Sequence, residues 1–340
     1  MADVLFISEF GPGSRGGVQI HLAQIIQRLN KENVDQVNVL CRYDGGCSAS
    51  RSIKVLNGKL PQLYLYIFLN LRSLLDQQII HFHDYSIAKH FIFIILMRRI
   101  IKKHTYITFH GWEGTVPPDR SVVLIKKLLN VFCDGSILIG DYLKKWYGLA
   151  GVVSYGGGDH ALVQILNKEV ELSVKPTDRK SKIAFVGRLE GDTGFTEVLS
   201  AFTSPKICDL ELDVFGSGSL SRLVSSEKLV MYGHVNNLCA LLTKYDYIIT
   251  SGYLGILEGL FMGKHVIAIS DNNLKSDYLQ IPNLGRPFFS VVETREELIN
   301  ILEDVKNSRG TTTLADDEIL KNNFSWQSVI SCYESLWYNC

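Results

Sequence analysis

The chain lacks the features that mark several common classes of protein. Its 35 basic and 35 acidic residues give a formal net charge of zero, which argues against nucleic acid as a partner. The seven cysteines are scattered, without a Cys-x-x-Cys pair. Such an odd, unclustered set fits reduced thiols in a cytoplasmic protein better than a disulfide framework or a zinc site.

Signals for export and for membrane insertion are also lacking. Met1 leads directly into the strand-like Val4–Ile7, without a basic region ahead of an apolar one, so we expect no secretory signal. The longest uncharged apolar run near the middle, Phe91–Met97, is far shorter than the roughly 20 residues of a membrane-spanning helix. These features predict a cytoplasmic protein.

One segment leaves a contact with a membrane surface open. Phe91–Lys103 has an apolar stem that ends in four basic residues, a composition that suits peripheral binding to an anionic bilayer. The same composition suits a buried crossover helix with a solvated basic end, and we favour that interpretation. Peripheral contact with the inner face of the membrane is the alternative.

Apolar runs typical of strands alternate with helical patterns from end to end, which predicts parallel α/β sheets. A length of 340 residues with 46% hydrophobic residues favours two domains with full cores. The polar stretch Asn167–Lys182 is the best linker candidate. We expect the ligand in a cleft between the two units, facing the carboxyl ends of the strands. The predicted strands are Val4–Phe10, Val37–Arg42, Ile79–Asp84, Thr105–His110, Ser136–Ile139, Lys182–Val186, Glu211–Phe215, Leu229–Tyr232, Tyr247–Thr250, Val266–Ser270 and Phe289–Val292.

The most informative segment is Thr250–Lys264, in which apolar runs flank a Gly-bearing turn and a short helix with one glutamate, Glu258. Such a turn aims the free backbone N–H groups of a helix N-terminus at the edge of the sheet where phosphorylated ligands bind. Glu258, one turn into the helix, is placed to accept hydrogen bonds from a ribose diol. A solvated helix glutamate is the plainer interpretation. The pattern indicates a nucleotide-sugar site.

Three further motifs follow predicted strands. Gly11–Val18 is a Gly-rich turn before a helix, suited to an anionic group, although a surface turn would look the same. Its spacing is not Gly-x-Gly-x-x-Gly, which disfavours an NAD-dependent oxidoreductase. The imidazole of His110 suits a hydrogen bond to a sugar hydroxyl or proton transfer, with packing or capping as the alternative. Arg188 suits phosphate oxygens or a place on the surface.

Two histidines, His81 and His83, alternate on one face of a predicted strand. Two histidines on one face could be metal ligands, but no third potential ligand lies at a sequence spacing typical of a metal site. We therefore interpret them as core residues.

Taken together and in this order, the motifs resemble those of the retaining glycosyltransferases of the GT-B fold, family 4, the glycogen-synthase-like group, over nearly the whole chain. The resemblance implies an α/β protein with two Rossmann-like domains that face each other across a cleft. Residues 1–160, with a C-terminal crossover helix at 325–340, would form the acceptor domain, and residues 161–324 the donor domain. The matching segments are Gly16-Gly17-Val18, His110, Ser154–Asp159, Gly187-Arg188-Leu189, Val235–Leu238, Leu241-Leu242, Asp246 and Ser325-Trp326.

The resemblance also implies roles. The donor is a nucleoside-diphosphate sugar, and the acceptor is a glycan, a lipid-linked sugar or a small molecule. Arg188 and the amides of the turn hold the diphosphate, so that no bound metal and no cofactor are required. Glu258 binds the ribose, and His110 places the sugar for a front-side displacement without an enzymic nucleophile. The donor-binding positions are Gly16, Gly17, Thr193, Leu254, Gly255, Ile256 and Glu258.

Two positions depart from the family pattern. Thr193 stands where the family commonly has a lysine, and Thr250 stands where it has the first of two glutamates. A catalytically silent nucleotide-sugar-binding subunit therefore stays open, as does a sugar-nucleotide epimerase of the same fold. We favour a working transferase because four key residues are retained, namely His110, Arg188, Gly255 and Glu258.

Overall fold

A computed structural model describes residues 3–12, 16–31, 37–43, 53–158, 181–223, 228–235, 238–281, 289–307 and 317–338. The chain divides into two compact units. Unit 1 comprises Met1–Gly156 with Trp326–Cys340, and unit 2 comprises Gly157–Ser325. Most of the linker candidate Asn167–Lys182 lies outside the described residues.

The described elements follow one another as alternating strands and helices. The strands are β1 (Val4–Phe10), β2 (Val37–Tyr43), β3 (Ile53–Val55), β4 (Ile79–His83), β5 (His104–Phe109), β6 (Gly135–Ile139), β7 (Val152–Ser154), β8 (Ile183–Val186), β9 (Leu212–Phe215), β10 (Leu229–Gly233), β11 (Tyr247–Thr250), β12 (His265–Ile269) and β13 (Phe289–Val292). The helices are α1 (Gly17–Lys31), α2 (Leu60–Leu69), α3 (Leu71–Asp76), α4 (Tyr85–Ala88), α5 (Ile92–Ile100), α6 (Arg120–Phe132), α7 (Tyr142–Tyr147), α8 (Phe195–Ala201), α9 (Leu238–Leu242), α10 (Tyr253–Phe261), α11 (Asn273–Leu279), α12 (Arg295–Asn307), α13 (Asp317–Phe324) and α14 (Trp326–Tyr338).

Each unit contains one parallel sheet. The strand order is β3-β2-β1-β4-β5-β6-β7 in unit 1 and β10-β9-β8-β11-β12-β13 in unit 2. Strands β4 and β8 are wholly buried, and β1 and β11 are largely so, as expected for apolar strands covered by helices on both faces. Helices α1 and α14 close the core of unit 1, and α8 and α12 close that of unit 2.

The strand order reverses at one point in each sheet, between β1 and β4 in unit 1 and between β8 and β11 in unit 2. At such a switch point the connections leave in opposite directions and open a crevice at the carboxyl ends of the strands, where ligands bind in open α/β sheets. Residues that directly follow β1, β4, β8 and β11 are therefore the first candidates for a functional role.

The segment Phe91–Lys103 differs from the interpretation favoured from its sequence, a buried crossover helix with a solvated basic end. Its basic end is not wholly solvated, because Arg98 is buried and donates to six oxygens, including the carbonyls of Leu74 and His104. Its apolar part is not wholly buried either, because Phe93 and Ile100 are exposed. The helix thus contributes Arg98 to the core and turns an apolar stripe outward.

Candidate functional site

The turn between β11 and α10 is fixed by a buried threonine. Thr250 donates from its hydroxyl to the carbonyl of Val186 at 2.8 Å, which ties the ends of β11 and β8 together at the switch point. The same Oγ1 accepts from the Gly252 amide at 3.3 Å. Thr250, which stands where the family pattern has a glutamate, is therefore a structural residue here.

Helix α10 begins immediately after this turn and has unused backbone donors. No described residue accepts from the amides of Leu254 and Gly255, as expected in the first turn of a helix. The expectation for Ile256 needs correction, because its amide donates to the carbonyl of Gly252 at 3.1 Å. The amide of Tyr253 faces the Tyr278 hydroxyl. Two amides are thus available to an anion.

Glycine is required at position 255 of this turn. A Cβ there would lie 2.6 Å from Thr250 Oγ1, whereas a Cβ on Gly252 would meet nothing within 4 Å. We predict that Gly255→Ala destabilises unit 2 by about 1–3 kcal/mol and abolishes nucleotide binding, because the turn must shift. Thermal unfolding with and without each of UDP, GDP and ADP tests this, with Gly252→Ala as the matched control; equal behaviour of the two variants would refute it.

Glu258 lies on α10, one turn beyond the free amides. It is half-buried, and burial raises the pKa of its carboxyl to about 7. No described residue donates a hydrogen bond to that carboxylate. A partly desolvated carboxyl without a protein partner suits a ligand that brings its own donors.

Arg188 follows β8, on the other side of the switch point. Its guanidinium is exposed, and Nη2 donates to Asp192 Oδ2 at 2.9 Å. An exposed pair of this kind contributes little to stability, so the guanidinium remains available to an anionic ligand.

Thr193 ends a 3₁₀ turn, Gly191–Thr193, and points inward. It is buried, and its hydroxyl donates to the carbonyl of Glu190 at 2.7 Å. The side chain is therefore engaged within the turn.

A buried lysine that sequence reasoning missed supports this turn. Lys275 of α11 is 3% exposed and donates from Nζ to the carbonyl of Asp192 at 2.6 Å. Burial lowers the pKa of Lys275, and Asp271, 3.6 Å away, opposes that shift. Because Lys275 lies in the first turn of α11, the positive end of the helix dipole also disfavours its charge. Asn272, which caps α11 through the Lys275 amide at 2.8 Å, was the sequence signal for this helix.

Lys275 and Arg188 both bind Asp192, the first at its carbonyl and the second at its carboxylate, so we expect Lys275 to hold Arg188 in position. We predict that Lys275→Met weakens binding of the nucleoside diphosphate that the parent chain prefers about tenfold, roughly the 1.4 kcal/mol expected for one charge-assisted hydrogen bond. Titration calorimetry measures this. The matched control is Lys264→Met, because Lys264 also donates to a carbonyl, that of Thr243 at 3.0 Å, but at the amino edge of the sheet. An unchanged dissociation constant in Lys275→Met would contradict the role.

At the carboxyl edge of the unit 1 sheet, three buried polar atoms find no hydrogen-bond partner within the described parts of the chain. They are His83 Nδ1, Asp84 Oδ1 and His110 Nε2. His83 ends β4, Asp84 follows it, and His110 follows β5, so parallel pairing brings them to one edge. The rings of His83 and His110 lie 4.4 Å apart between centroids. Because buried polar atoms are normally paired, this cluster is a candidate site for a polyhydroxy ligand.

The histidines of this cluster are uncharged at neutral pH. Burial, followed by the proximity of His83 and His21, holds the pKa of His110 well below its usual value. Burial likewise lowers the pKa of His83 to about 4, although its Nε2 contacts the carbonyl of Val18 at 3.2 Å. Neutral imidazoles suit hydrogen bonding to hydroxyl groups better than binding to phosphates.

Asp84 has a strained backbone and an unusual carboxyl. Its φ of 103° is rare for a residue other than glycine, and such outliers cluster at functional sites. Burial raises the pKa of the carboxyl to about 6, while Lys126 and the amides of Tyr85 and His110 oppose that shift. Sequence reasoning missed Asp84, although its place directly after a strand at the switch point was a signal.

An ion pair beneath the His110 loop fixes its position. Glu113 contacts the fully buried Lys126 at 2.6 Å and accepts from the Tyr147 hydroxyl at 2.5 Å. The Lys126 ammonium lies 4.0 Å from the centroid of the Tyr147 ring. Buried charges with several partners of this kind hold a loop in one conformation.

Two groups of sequence candidates remain, the glycines that follow β1 at the switch point of unit 1, next to the Val18 carbonyl that His83 contacts, and His81. Gly16 and Gly17 stand at the start of α1, and Gly16 has φ 149°, a conformation that favours glycine. His81 is bonded to Thr108 Oγ1 at 2.8 Å and to Trp337 Nε1 at 3.0 Å, so it is a core residue. Among the described residues, no group of three or more His, Cys, Asp or Glu side chains is arranged to hold a metal.

Solved structures share this architecture over nearly their full length. The Anabaena protein HepE, in complex with UDP-glucose, matches with a TM-score of 0.72 at 16% identity, over 99% of this chain and 99% of its own. The lipopolysaccharide outer core galactosyltransferase WaaB matches with a TM-score of 0.67 at 14% identity, over 99% of each chain. A Listeria monocytogenes protein assigned as a UDP-N-acetylglucosamine 2-epimerase matches with a TM-score of 0.55 at 12% identity, over 100% of this chain and 98% of its own.

These likenesses establish the fold. The chain is an α/β protein with two Rossmann-like domains, the GT-B fold of glycosyltransferases. No family model and no curated protein matches its sequence.

Proposed function

We propose that the protein is a retaining glycosyltransferase that moves a sugar from a nucleoside-diphosphate sugar to a glycan, lipid-linked or small-molecule acceptor. One observation carries the proposal. At the switch point of unit 2, two unused amides of α10, the exposed guanidinium of Arg188 and the unpartnered carboxyl of Glu258 follow adjacent strands. Amides and guanidinium suit a diphosphate, and the carboxyl suits a ribose diol.

In the proposed reaction, the bond between the anomeric carbon and the diphosphate oxygen breaks, and its electron pair stays with the nucleoside diphosphate. Arg188 and the amides of Leu254 and Gly255 stabilise the charge that develops there. The acceptor hydroxyl forms the new bond on the same face of the sugar, and its proton passes to the departing phosphate oxygen. Preorganised donors of this kind are worth roughly 3–4 kcal/mol each in the transition state.

For unit 1, we propose a role in binding sugar hydroxyls. His110 Nε2 and Asp84 Oδ1 are, with His83 Nδ1, buried atoms that find no hydrogen-bond partner among the described residues, and a neutral imidazole beside a carboxyl is complementary to hydroxyl groups. His110 would position the transferred sugar, as the sequence resemblance implies. Asp84 would accept from a sugar or acceptor hydroxyl.

Two other functions suit the same fold. A silent nucleotide-sugar-binding subunit is motivated by Thr193 and Thr250, and an epimerase by the likeness to the Listeria monocytogenes protein. Incubating the purified protein with UDP-, GDP- and ADP-sugars, and following nucleotide release and sugar products, separates the three. Transfer or donor hydrolysis supports the proposal. Epimer formation without any acceptor supports the epimerase, and binding without turnover supports the silent subunit.

The pKa of Glu258 gives the proposed site a pH signature. Because ribose hydroxyls bind the ionised carboxylate, a carboxyl with a pKa of about 7 must release a proton on binding below that pH. We predict that the affinity for the nucleoside-diphosphate sugar that the chain uses as donor falls about tenfold from pH 8 to pH 6, a window that spans this pKa. Titration calorimetry at both pH values measures it.

The control for this signature is Glu258→Gln, in which the pH dependence should disappear. The free energy of unfolding should depend on pH in the opposite direction to the affinity and fall as the pH rises. Since burial raises the pKa of Glu258 in the folded protein, its ionisation above about pH 7 opposes folding. Glu258→Gln should therefore be at least as stable as the parent at pH 8. A pH dependence that persists in the variant would show that another group is responsible.

A further inference from the structure

Three neighbouring helices of unit 1 turn apolar side chains toward solvent. On α5, Phe93 and Ile100 are 60% and 74% exposed, while the opposite side of the helix is buried. Helices α2 and α6 expose similar stripes. The most exposed side chains, which we call the apolar face, are Phe68, Leu69, Phe93, Ile100, Leu124 and Val131.

The three stripes lie on adjacent helices. The Tyr64 hydroxyl of α2 bonds His90 Nδ1, just before α5, at 2.9 Å. At the other side, Arg99 of α5 donates to the carbonyl of Val131, at the end of α6, at 2.7 Å. Helix α5 therefore lies between α2 and α6. Exposed apolar side chains that recur on three adjacent helices differ from the singly scattered ones of an ordinary monomer, and clusters of this kind mark interaction sites.

The charged residues of the three helices themselves have one sign. Helices α2, α5 and α6 contain no acidic residue, whereas Arg99 and Lys127 are exposed on them and Lys102 follows α5. Acidic residues occur only in the flanking segments, where Asp76 ends α3, Asp119 precedes α6 and Asp134 follows it. The whole chain has a formal net charge of zero, so this positive charge is a local feature. A symmetric dimer through this face would bring like charges together, whereas an anionic bilayer supplies both phosphates for the cations and an acyl layer for the apolar side chains.

We infer that the apolar face binds the surface of an anionic lipid bilayer. The protein would lie on the bilayer, because none of the helices in the described parts of the chain has the length and hydrophobicity of a membrane span. This inference goes beyond the proposed function and does not depend on it. If both hold, a lipid-linked acceptor is favoured among the acceptors proposed above.

Co-sedimentation of the full chain with vesicles tests the inference. Vesicles of phosphatidylcholine with about 30% phosphatidylglycerol supply the anionic surface, and pure phosphatidylcholine is the reference. We expect binding to the anionic vesicles that is at least tenfold stronger and that weakens in high salt. Phe93→Ser combined with Ile100→Ser should reduce binding at least tenfold. The matched control combines Leu223→Ser with Val230→Ser, two exposed apolar residues of unit 2.

The measurements separate binding to a bilayer from misfolding of the variants and from dimerisation. Because the substituted side chains are exposed, all variants should keep the thermal midpoint of the parent, and nucleotide-induced stabilisation should be unaffected. No binding to either vesicle, or binding that the Phe93/Ile100 variant retains, would overturn the inference. A concentration-dependent dimer in sedimentation velocity that this variant abolishes, without vesicle binding, would overturn it in favour of a second copy of the chain.

Discussion

Arg188→Ala should lower kcat for sugar transfer by about 10²–10³-fold, the effect of removing one preorganised donor from a developing negative charge. The guanidinium is exposed and makes a single described ion pair, with Asp192, so the substitution should not disturb folding. Initial rates at saturating donor and acceptor measure the effect.

Lys206→Ala is the matched control for Arg188. Lys206 is also an exposed basic residue of unit 2 with an ion pair, to Glu303 at 3.3 Å, but it lies in the connection that leads into the amino end of β9. Its removal should leave kcat unchanged. Full transfer activity in Arg188→Ala would refute the assignment of the diphosphate site.

The second large effect is expected in unit 1. We predict that His110→Ala lowers kcat/KM about 10²–10³-fold, because the sugar loses a positioned hydrogen bond. Asp84→Asn should lower it by a similar factor, since the variant retains the volume but lacks a carboxylate acceptor. Both variants should bind UDP normally, because the groups that would hold it belong to unit 2. Steady-state kinetics and calorimetry together distinguish loss of turnover from loss of donor binding.

His104 provides the control on the same strand. It stands at the amino end of β5 and is exposed, whereas His110 follows the carboxyl end and is buried. His104→Ala should therefore be neutral. Equal activity of His110→Ala and His104→Ala would remove unit 1 from the proposed reaction.

The strands were the most predictable part of the fold. Tyr247–Thr250 and Phe289–Val292 begin and end where the sequence predicts. A short apolar run with turn residues on both sides can hold a strand of only one length and position. Strands β3 and β7 were not predicted, because a run of three residues is too short to show the apolar pattern of a strand. Helix α11 was not predicted from the sequence. Its polar first residues hide the helical spacing of its apolar ones, although Asn272 is a recognisable N-cap.

The candidate site was predictable where a functional side chain comes soon after the carboxyl end of a strand. Arg188, Glu258 and His110 each occupy such a position and were predicted on that ground, and their roles stay predictions. Lys275 was not predicted. Its contact with Asp192 joins residues 83 apart in sequence, and no motif of neighbouring residues predicts a contact over that separation. His83 was set aside as a core residue, and only the structure shows that its Nδ1 lacks a partner.

The most direct test of the donor site is thermal unfolding of the purified protein with UDP, GDP, ADP, CMP and NAD, beside Glu258→Ala and the surface control Glu303→Ala. A ligand at 100 times its dissociation constant adds about 2.7 kcal/mol to the free energy of unfolding, which raises the midpoint measurably. We predict stabilisation by one nucleoside diphosphate, which Glu258→Ala loses and Glu303→Ala retains. A chain that responds to no nucleoside diphosphate, or that responds equally in Glu258→Ala, would contradict the proposed donor site.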